Sequence, residues 1–290
     1  MLSEARTHTP TCLPGTKSRF LCRAVRAETV RSPVMPFTPF TELLARQLGA
    51  PTRSAWGRVA RRLFEHKNAH LELEAATLSG LGPGLSALEV GFGPGLGLVA
   101  ACHLLGPTGT LLGLERSQYM LDVAGARLKR LAAKGGPAGQ VAARAKLMLG
   151  TVGGTVGGQG SVGGRATVGG RGTVGGQGSV GLNEASVDRV FHCNCYYFWP
   201  NLEEACAELF RVIKPGGLMV TTLNLASVKR TASYGALKYA CGWEPEPYLE
   251  ALSHTGFVDV RMEDRQHGSK PFQAIFATKP DVPAASAKQT

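Results

Sequence analysis

The sequence predicts a doubly wound α/β domain with a mainly parallel sheet. Two observations carry that prediction. Short aliphatic runs alternate with segments of helical period, the pattern of a parallel sheet covered on both faces. A glycine-rich turn, Gly91-Phe92-Gly93-Pro94-Gly95, stands between the first of those runs and a buried helical segment. The chain has 290 residues, 43% hydrophobic and 18% charged, ample for one domain with a real core and too apolar for a disordered polyelectrolyte.

Three stretches fall outside that core. Residues 1–34 are rich in Arg and Thr, poor in acids and free of an apolar signal-like core. They read as a disordered leader, either an organelle transit-like segment or an extension ahead of Met35. From residue 150 to 181 the motif Ser/Thr-Val-Gly recurs at Thr151, Thr155, Ser161, Thr167, Thr173 and Ser179. So short and glycine-rich an array is costly to order and too short to bury a core of its own, so it is expected to be a flexible insertion in one surface loop. Residues 279–290 form an Ala/Lys tail. The domain is therefore placed at 35–278.

Within it, a first helix is expected from Thr41, with Leu43, Leu44 and Leu48 inward. A second carries Trp56, Val59, Leu63 and Phe64 on one face. The first strand is Ala87–Val90, followed by the glycine turn and a helix from Leu96 to Leu105 that Gly106 stops. Thr110–Leu114 is a second strand, ending in Glu115, and Ser117 caps a helix whose Leu121, Ala124, Leu128 and Leu131 share a face. Ala145–Leu149 is a weaker third strand and Asp188–Asn194 a fourth. Asn201 and Glu204 form a capping box ahead of a helix through Ile213. Lys214-Pro-Gly-Gly217 turns into the strand Leu218–Leu223. A helix over Pro247–His254 stops at Gly256, and strands Val258–Met262 and Phe272–Thr278 close the domain across a polar turn.

Charge and cysteine content narrow the function. The formal charge of +11 gathers in the leader and in the stretch between Asp122 and Glu184, where Arg127, Lys129, Arg130, Lys134, Arg144, Lys146, Arg165 and Arg171 meet no acid. Neither stretch interleaves aromatic residues with its bases, so no nucleic-acid partner is expected. No apolar run reaches the ~20 residues of a membrane-spanning helix. Seven cysteines, an odd number without a framework, suit a reducing compartment. The expected location is the cytoplasm, or the mitochondrion if residues 1–34 act as a transit peptide. His192, Cys193 and Cys195 have poor chelating geometry on a strand, so no metal is expected.

The chemistry lies at the glycine turn. A glycine loop between strand and helix lets a ligand approach the backbone at the helix N-terminus. Glu115, at the end of the next strand, can accept hydrogen bonds from both hydroxyls of a ribose. Together they predict a nucleoside-type ligand. A dinucleotide site keeps G-x-G-x-x-G, whereas Gly91, Gly93 and Gly95 are spaced G-x-G-x-G. Glu89 would repel a pyrophosphate and attract the cationic amino-acid part of S-adenosylmethionine.

Four segments then carry a resemblance: LEVGFGPG (Leu88–Gly95), GLERSQYML (Gly113–Leu121), SVDRVFHCNCYYFWPN (Ser186–Asn201) and LFRVIKPGGLMV (Leu209–Val220). In that order they resemble a class I S-adenosylmethionine-dependent methyltransferase of the ubiquinone/menaquinone-biosynthesis type. The resemblance implies a Rossmann-like seven-stranded sheet with an antiparallel last strand, and methyl transfer to a small-molecule acceptor. It also implies roles. Glu89 and the loop of Gly91, Phe92, Gly93 and Gly95 would hold the methionine part of the cofactor. Glu115 would bind the ribose, Arg116 and Met120 would border the adenine, and Asn194 would sit near the sulfonium. One position departs from the family pattern: Leu149-Gly150-Thr151 stands where an acid usually contacts the adenine amino group.

Methyl transfer from a sulfonium needs mostly positioning, with a base only when the nucleophile carries a proton. No base is dictated by the motifs. His192, Tyr196, Tyr197, Trp199 and Asn224 are the candidates for the acceptor side, although His192 reads more readily as a satisfied strand histidine and the aromatic run equally as a cover for the sheet edge. The competing readings are a catalytically inactive binding or scaffold protein that keeps the fold, and an NAD-dependent dehydrogenase. The altered Gly150–Thr151 region keeps the first in play, and the glycine spacing disfavours the second. The sequence leaves the oligomeric state open.

Overall fold

A computed structural model describes residues 39–153 and 180–281. Three helices, α1 (Pro39–Gly49), α2 (Ala55–Lys67) and α3 (Ala69–Leu78), precede strand β1 (Ser86–Val90). Then follow α4 (Leu96–Leu104), β2 (Thr110–Glu115), α5 (Gln118–Ala133), α6 (Gly136–Arg144) and β3 (Lys146–Leu149). After the insertion come β4 (Val187–Cys193), a 3₁₀ turn (Tyr196–Phe198), α7 (Leu202–Val212), β5 (Ile213–Leu223), α8 (Leu225–Ser233) and α9 (Pro245–Thr255), and the hairpin of β6 (Val258–His267) and β7 (Lys270–Thr278).

The seven strands form one sheet in the order β3-β2-β1-β4-β5-β7-β6. The strands from β1 to β5 pair in parallel, and β7 runs antiparallel to both β5 and β6. This is the Rossmann-like mixed sheet expected. After β1 the chain builds outward through β2 to β3, then returns to the other side of β1 as β4. That reversal opens a crevice above the carboxyl ends of β1 and β4.

Strand alternation sorts the core into two layers. Leu88 and Val90 of β1 and Val190 of β4 face the layer that includes α7 and α9. Ala87 and Phe191 face α4, α5 and α6, and Cys193 joins Leu71 of α3 against Val220 of β5 and Phe272 and Phe276 of β7. Ser117 caps α5 by accepting from the Met120 amide at 3.1 Å, and Asn201 caps α7 by accepting from the Glu204 amide at 3.2 Å. Gly256 ends α9 in a left-handed conformation, φ 107°.

Several boundaries differ from expectation. Helix α1 begins at Pro39, so Thr41 lies inside it rather than at its start. Leu43 and Val59 point outward, 42% and 45% exposed, while Leu44, Leu48, Leu63 and Phe64 line a cavity. Helices α1 and α2 therefore wall a hollow instead of covering solid core. The Pro-Gly-Gly turn sits within β5, because Ile213 pairs with Val187 before the register jumps to Leu218 opposite Arg189. Strands β6 and β7 extend to a two-residue turn, since antiparallel pairing tolerates the polar sequence of an open hairpin. Helices α3, α6 and α8 were not anticipated.

The ends of the insertion belong to the core. Val152 and Val180 are both buried, and the Val180 amide donates to Glu208 Oε1 at 2.8 Å. The leader, residues 154–179 of the repeat and the tail from residue 282 lie outside the described residues. Among the described residues, no helix is long and apolar enough to cross a membrane.

Candidate functional site

The loops at the carboxyl edge of the sheet, together with α1, α2, α3 and α8, enclose a cavity of about 770 Å³, within the range of small-ligand sites. Each glycine of the turn has a separate structural cause. Gly91 has φ +66°, and a Cβ there would lie 2.9 Å from the Cys195 Cβ, so the turn after β1 can press against the turn after β4 only without a side chain. Gly93, φ +48°, has open space where a Cβ would stand and lines the cavity. Gly95, φ +80°, admits Ala124 of α5, whose Cβ would otherwise be 2.7 Å from its own. Gly91, Gly93 and Pro94 form cavity wall, but Phe92 and Gly95 do not. Phe92 is buried with Leu98 and Leu111 on the α4 side of the sheet.

Glu115 ends β2 on the cavity wall. Its Oε2 accepts from the Gly93 amide at 3.0 Å and its Oε1 from the Ser117 amide at 2.8 Å. Burial raises its carboxyl above the ordinary range, and these two amides oppose the shift. Arg116 and Met120 also line the cavity, as do Gly150, Thr151 and Val152 at the end of β3. Asn194 follows β4 with φ +49°, a conformation that asparagine tolerates better than most residues. Its Nδ2 donates to Asn68 Oδ1 at 3.3 Å, while its own Oδ1 is buried without a protein partner. An orphaned acceptor in a cavity wall is satisfied when a ligand donor meets it.

Glu89 does not reach the cavity. It is 2% exposed and packs under the first turn of α4, its Oε1 against the place where a Gly97 Cβ would stand. The wall position is held by Glu72 of α3, whose Oε2 accepts from the Gly97 amide at 3.0 Å. Burial pushes the Glu72 carboxyl up to about 8. Burial first, then the neighbouring Glu72 and Glu115, raises Glu89 well above its ordinary range. Two adjacent buried carboxyls thus favour their protonated forms, with Arg127 in part opposing this at Glu72. Sequence reasoning missed Glu72 because its helix was missed. Leu71-Glu72-Leu73-Glu74 alternates like a strand, and only Asn68 before it and Gly80 after it marked a helix.

The aromatic run divides. Tyr197 and Trp199 line the cavity. Tyr196 turns away, stacked on Tyr248 at 4.5 Å between ring centroids, and its hydroxyl donates to the Trp243 carbonyl at 2.6 Å. His192 is fully buried on the opposite face of β4, its Nε2 at 2.9 Å from the Tyr248 hydroxyl and 2.8 Å from Thr221 Oγ1. Burial lowers it to about 3, so it is a neutral core histidine outside the cavity. Asn224 caps α8, accepting from the Ser227 amide, and its Nδ2 holds the Pro271 carbonyl at 2.8 Å. It thus ties α8 to the hairpin at the cavity rim.

Comparison with known proteins agrees with this architecture. Residues 170–221 match the family model described as a methyltransferase domain. No curated protein matches the sequence. Among solved structures, a SAM-dependent methyltransferase from Aquifex aeolicus is 15% identical with TM-score 0.51, covering 75% of this chain and 96% of its own. A geranyl diphosphate C-methyltransferase from Streptomyces coelicolor A3(2), solved with Mg2+, geranyl diphosphate and S-adenosyl-L-homocysteine, is 14% identical with TM-score 0.51, covering 84% of this chain and 100% of its own. The fold is that of class I S-adenosylmethionine-dependent methyltransferases. The cofactor to which the fold and the family match point is S-adenosylmethionine.

The residues present fit that cofactor. A cation with ribose hydroxyls needs acceptors at the glycine turn, and Glu115, Glu72 and the orphaned Asn194 Oδ1 supply them. The Glu115 carboxylate would not welcome a pyrophosphate.

Proposed function

We propose that this chain is an S-adenosylmethionine-dependent methyltransferase acting on a small molecule, of the ubiquinone/menaquinone-biosynthesis type that the four quoted segments resemble. The supporting observation is the convergence of Gly91, Gly93, Glu115 and Asn194 on one cavity at the reversal point of a parallel sheet. Bound S-adenosylmethionine supplies a methyl group on a positively charged sulfur.

The chain's residues hold, orient and exclude water. Glu115 accepts from the ribose while the Gly93 amide keeps its carboxylate in place. Met120, Arg116 and Thr151 border the adenine, with Thr151 in place of an acid. Asn194 Oδ1 and the turn of Gly91 and Gly93 take the methionine part. Glu72 stands in the role expected of Glu89, which instead braces the first turn of α4 from beneath. Tyr197 and Trp199 present flat apolar surface beside the acceptor and shed water from it. No side chain on the wall is set up as a strong base, in keeping with catalysis by positioning.

Calorimetric titration of the full chain with S-adenosylmethionine, S-adenosylhomocysteine and NAD tests this. Micromolar binding of the first two without the third is expected. Binding of none would favour the inactive scaffold, and preference for NAD would sink the methyltransferase reading.

A further inference from the structure

The charges of the cavity wall are unevenly spread. Among the described residues its two acids, Glu72 and Glu115, are committed to backbone amides at the β1–β2 end, where Arg116 is the one cation on the wall. The far end is formed by the C-terminal turn of α2, the start of α3, helix α8 and the β6–β7 turn. There the charged wall residues are Lys67, Arg230 and Lys270, beside His70. None of these three cations forms an ion pair with a described residue.

His70 marks the same place independently. Both of its ring nitrogens are shielded from water and have no protein partner. Desolvation, then Lys270 and His267, holds it below its ordinary value. The nearest acid acting on it, Glu74, is engaged by His267 Nδ1 at 2.7 Å. Three cations on one cavity wall without an ion-pair partner among the described residues, one of them, Lys270, acting on a histidine that also lacks a partner, lower their electrostatic energy when an anion enters.

Lys270 stands apart from Glu115, the acid of the ribose side, while His70 lies two residues from Glu72 on α3. From β2, which carries Glu115, to β7, which begins at Lys270, the sheet order passes through β1, β4 and β5. Four inter-strand spacings of ~4.8 Å amount to ~19 Å along the carboxyl edge. The wall between is largely apolar, with Phe64, Leu71, Tyr197 and Val228.

Resting on the methyltransferase reading, we infer that the methyl acceptor is an anionic small molecule: an apolar body whose carboxylate or phosphate docks against Lys67, His70, Arg230 and Lys270, with its nucleophile toward β1 and β4. The polarity follows from the wall. The acid group is drawn to the unpaired cations and repelled by the Glu115 carboxylate, so the reacting end faces the cofactor and the acid faces the hairpin turn.

The full chain is first titrated with S-adenosylhomocysteine. The loaded protein is then titrated with 4-phenylbutyrate, phenyl phosphate, 4-phenylbutylamine and 4-phenyl-1-butanol. Both acids, or one of them, should bind at least tenfold more tightly than the amine and the alcohol, and the stronger acid identifies carboxylate or phosphate as the docked group. Arg230→Glu with Lys270→Glu, two exposed positions, should lose that preference at least tenfold while S-adenosylhomocysteine binds as before. Equal binding of the alcohol or amine, no acid binding at millimolar concentration, or an acid preference untouched by the double variant would each overturn the inference. Failure of S-adenosylhomocysteine itself to bind would overturn the methyltransferase reading on which it rests.

Discussion

Glu115 has two tasks that a single substitution removes together. Its oxygens hold the Gly93 and Ser117 amides and, in the proposed complex, the ribose. Glu115→Ala removes both sets of contacts, and charged hydrogen bonds are worth about 1.5–3 kcal/mol each. Affinity for S-adenosylhomocysteine should fall at least tenfold by calorimetry, with a smaller loss for Glu115→Gln, which keeps the shape. Glu72 makes a prediction in pH. Its folded value of about 8 lies above the ordinary 4.5, so the folded state binds the proton that the unfolded state releases. Stability is therefore full below pH 4.5, declines as pH rises above it, and has lost this contribution once pH passes about 8. Melting temperature measured from pH 5 to 9 should fall across that window, and Glu72→Gln should flatten the fall. An unchanged slope in the variant would locate the titration elsewhere. The glycine turn was legible in the sequence as a ligand loop, yet only its neighbours show why each glycine stands there: Cys195 for Gly91, Ala124 for Gly95.

At the scale of elements, the turn after β1, the capped helices α5 and α7 and the positions of the strands were readable from local chemistry, because caps and alternation act within a few residues. Helix α3 was not, since its wall and core positions mix acids with leucines and its two faces meet different environments: Leu71 meets β5 and β7, while Ala75 and Ala76 meet the α4 layer. Glu89 was misplaced for a related reason. Strand alternation puts it on the α4 side of β1, and the closeness of α4 then seals it beneath Gly97. The repeat insertion invites a direct test. Val152 and Val180 anchor its two ends in the core, so residues 154–179 are the part that can be exchanged. Replacing them with a short Gly-Ser linker should leave the melting temperature within a few degrees, because loop closure depends only weakly on length. Deleting 152–180 instead removes two buried valines and should cost on the order of 2–4 kcal/mol in denaturant unfolding.

For the whole molecule, cofactor binding and stability are linked. A ligand at a hundred times its dissociation constant stabilises the folded state by about 2.7 kcal/mol. S-adenosylhomocysteine should therefore raise the melting temperature by several degrees, and NAD at the same concentration should not. A rise with NAD alone would return the glycine turn to a dinucleotide reading. The net charge of +11 also acquires a second meaning at this scale. The sequence showed where basic residues cluster along the chain. It could not show that Lys67, Arg230 and Lys270, far apart in sequence and prominent in no run, share one cavity wall.

The division between sequence and structure follows from the range of the forces involved. Helix caps, strand alternation and the glycine spacing are set by neighbours a few residues away. They determined by themselves the α/β class, the seven strands, the class of cofactor, and Glu115 at the end of β2. The burial of Glu89 and His192, the exchange of Glu89 for Glu72 on the wall, and the gathering of Lys67, Arg230 and Lys270 on one cavity wall were decided only in the tertiary structure. Each depends on which distant helix or strand closes over a side chain. Burial and the low dielectric that comes with it then set the charge of that side chain and the ligand it can face.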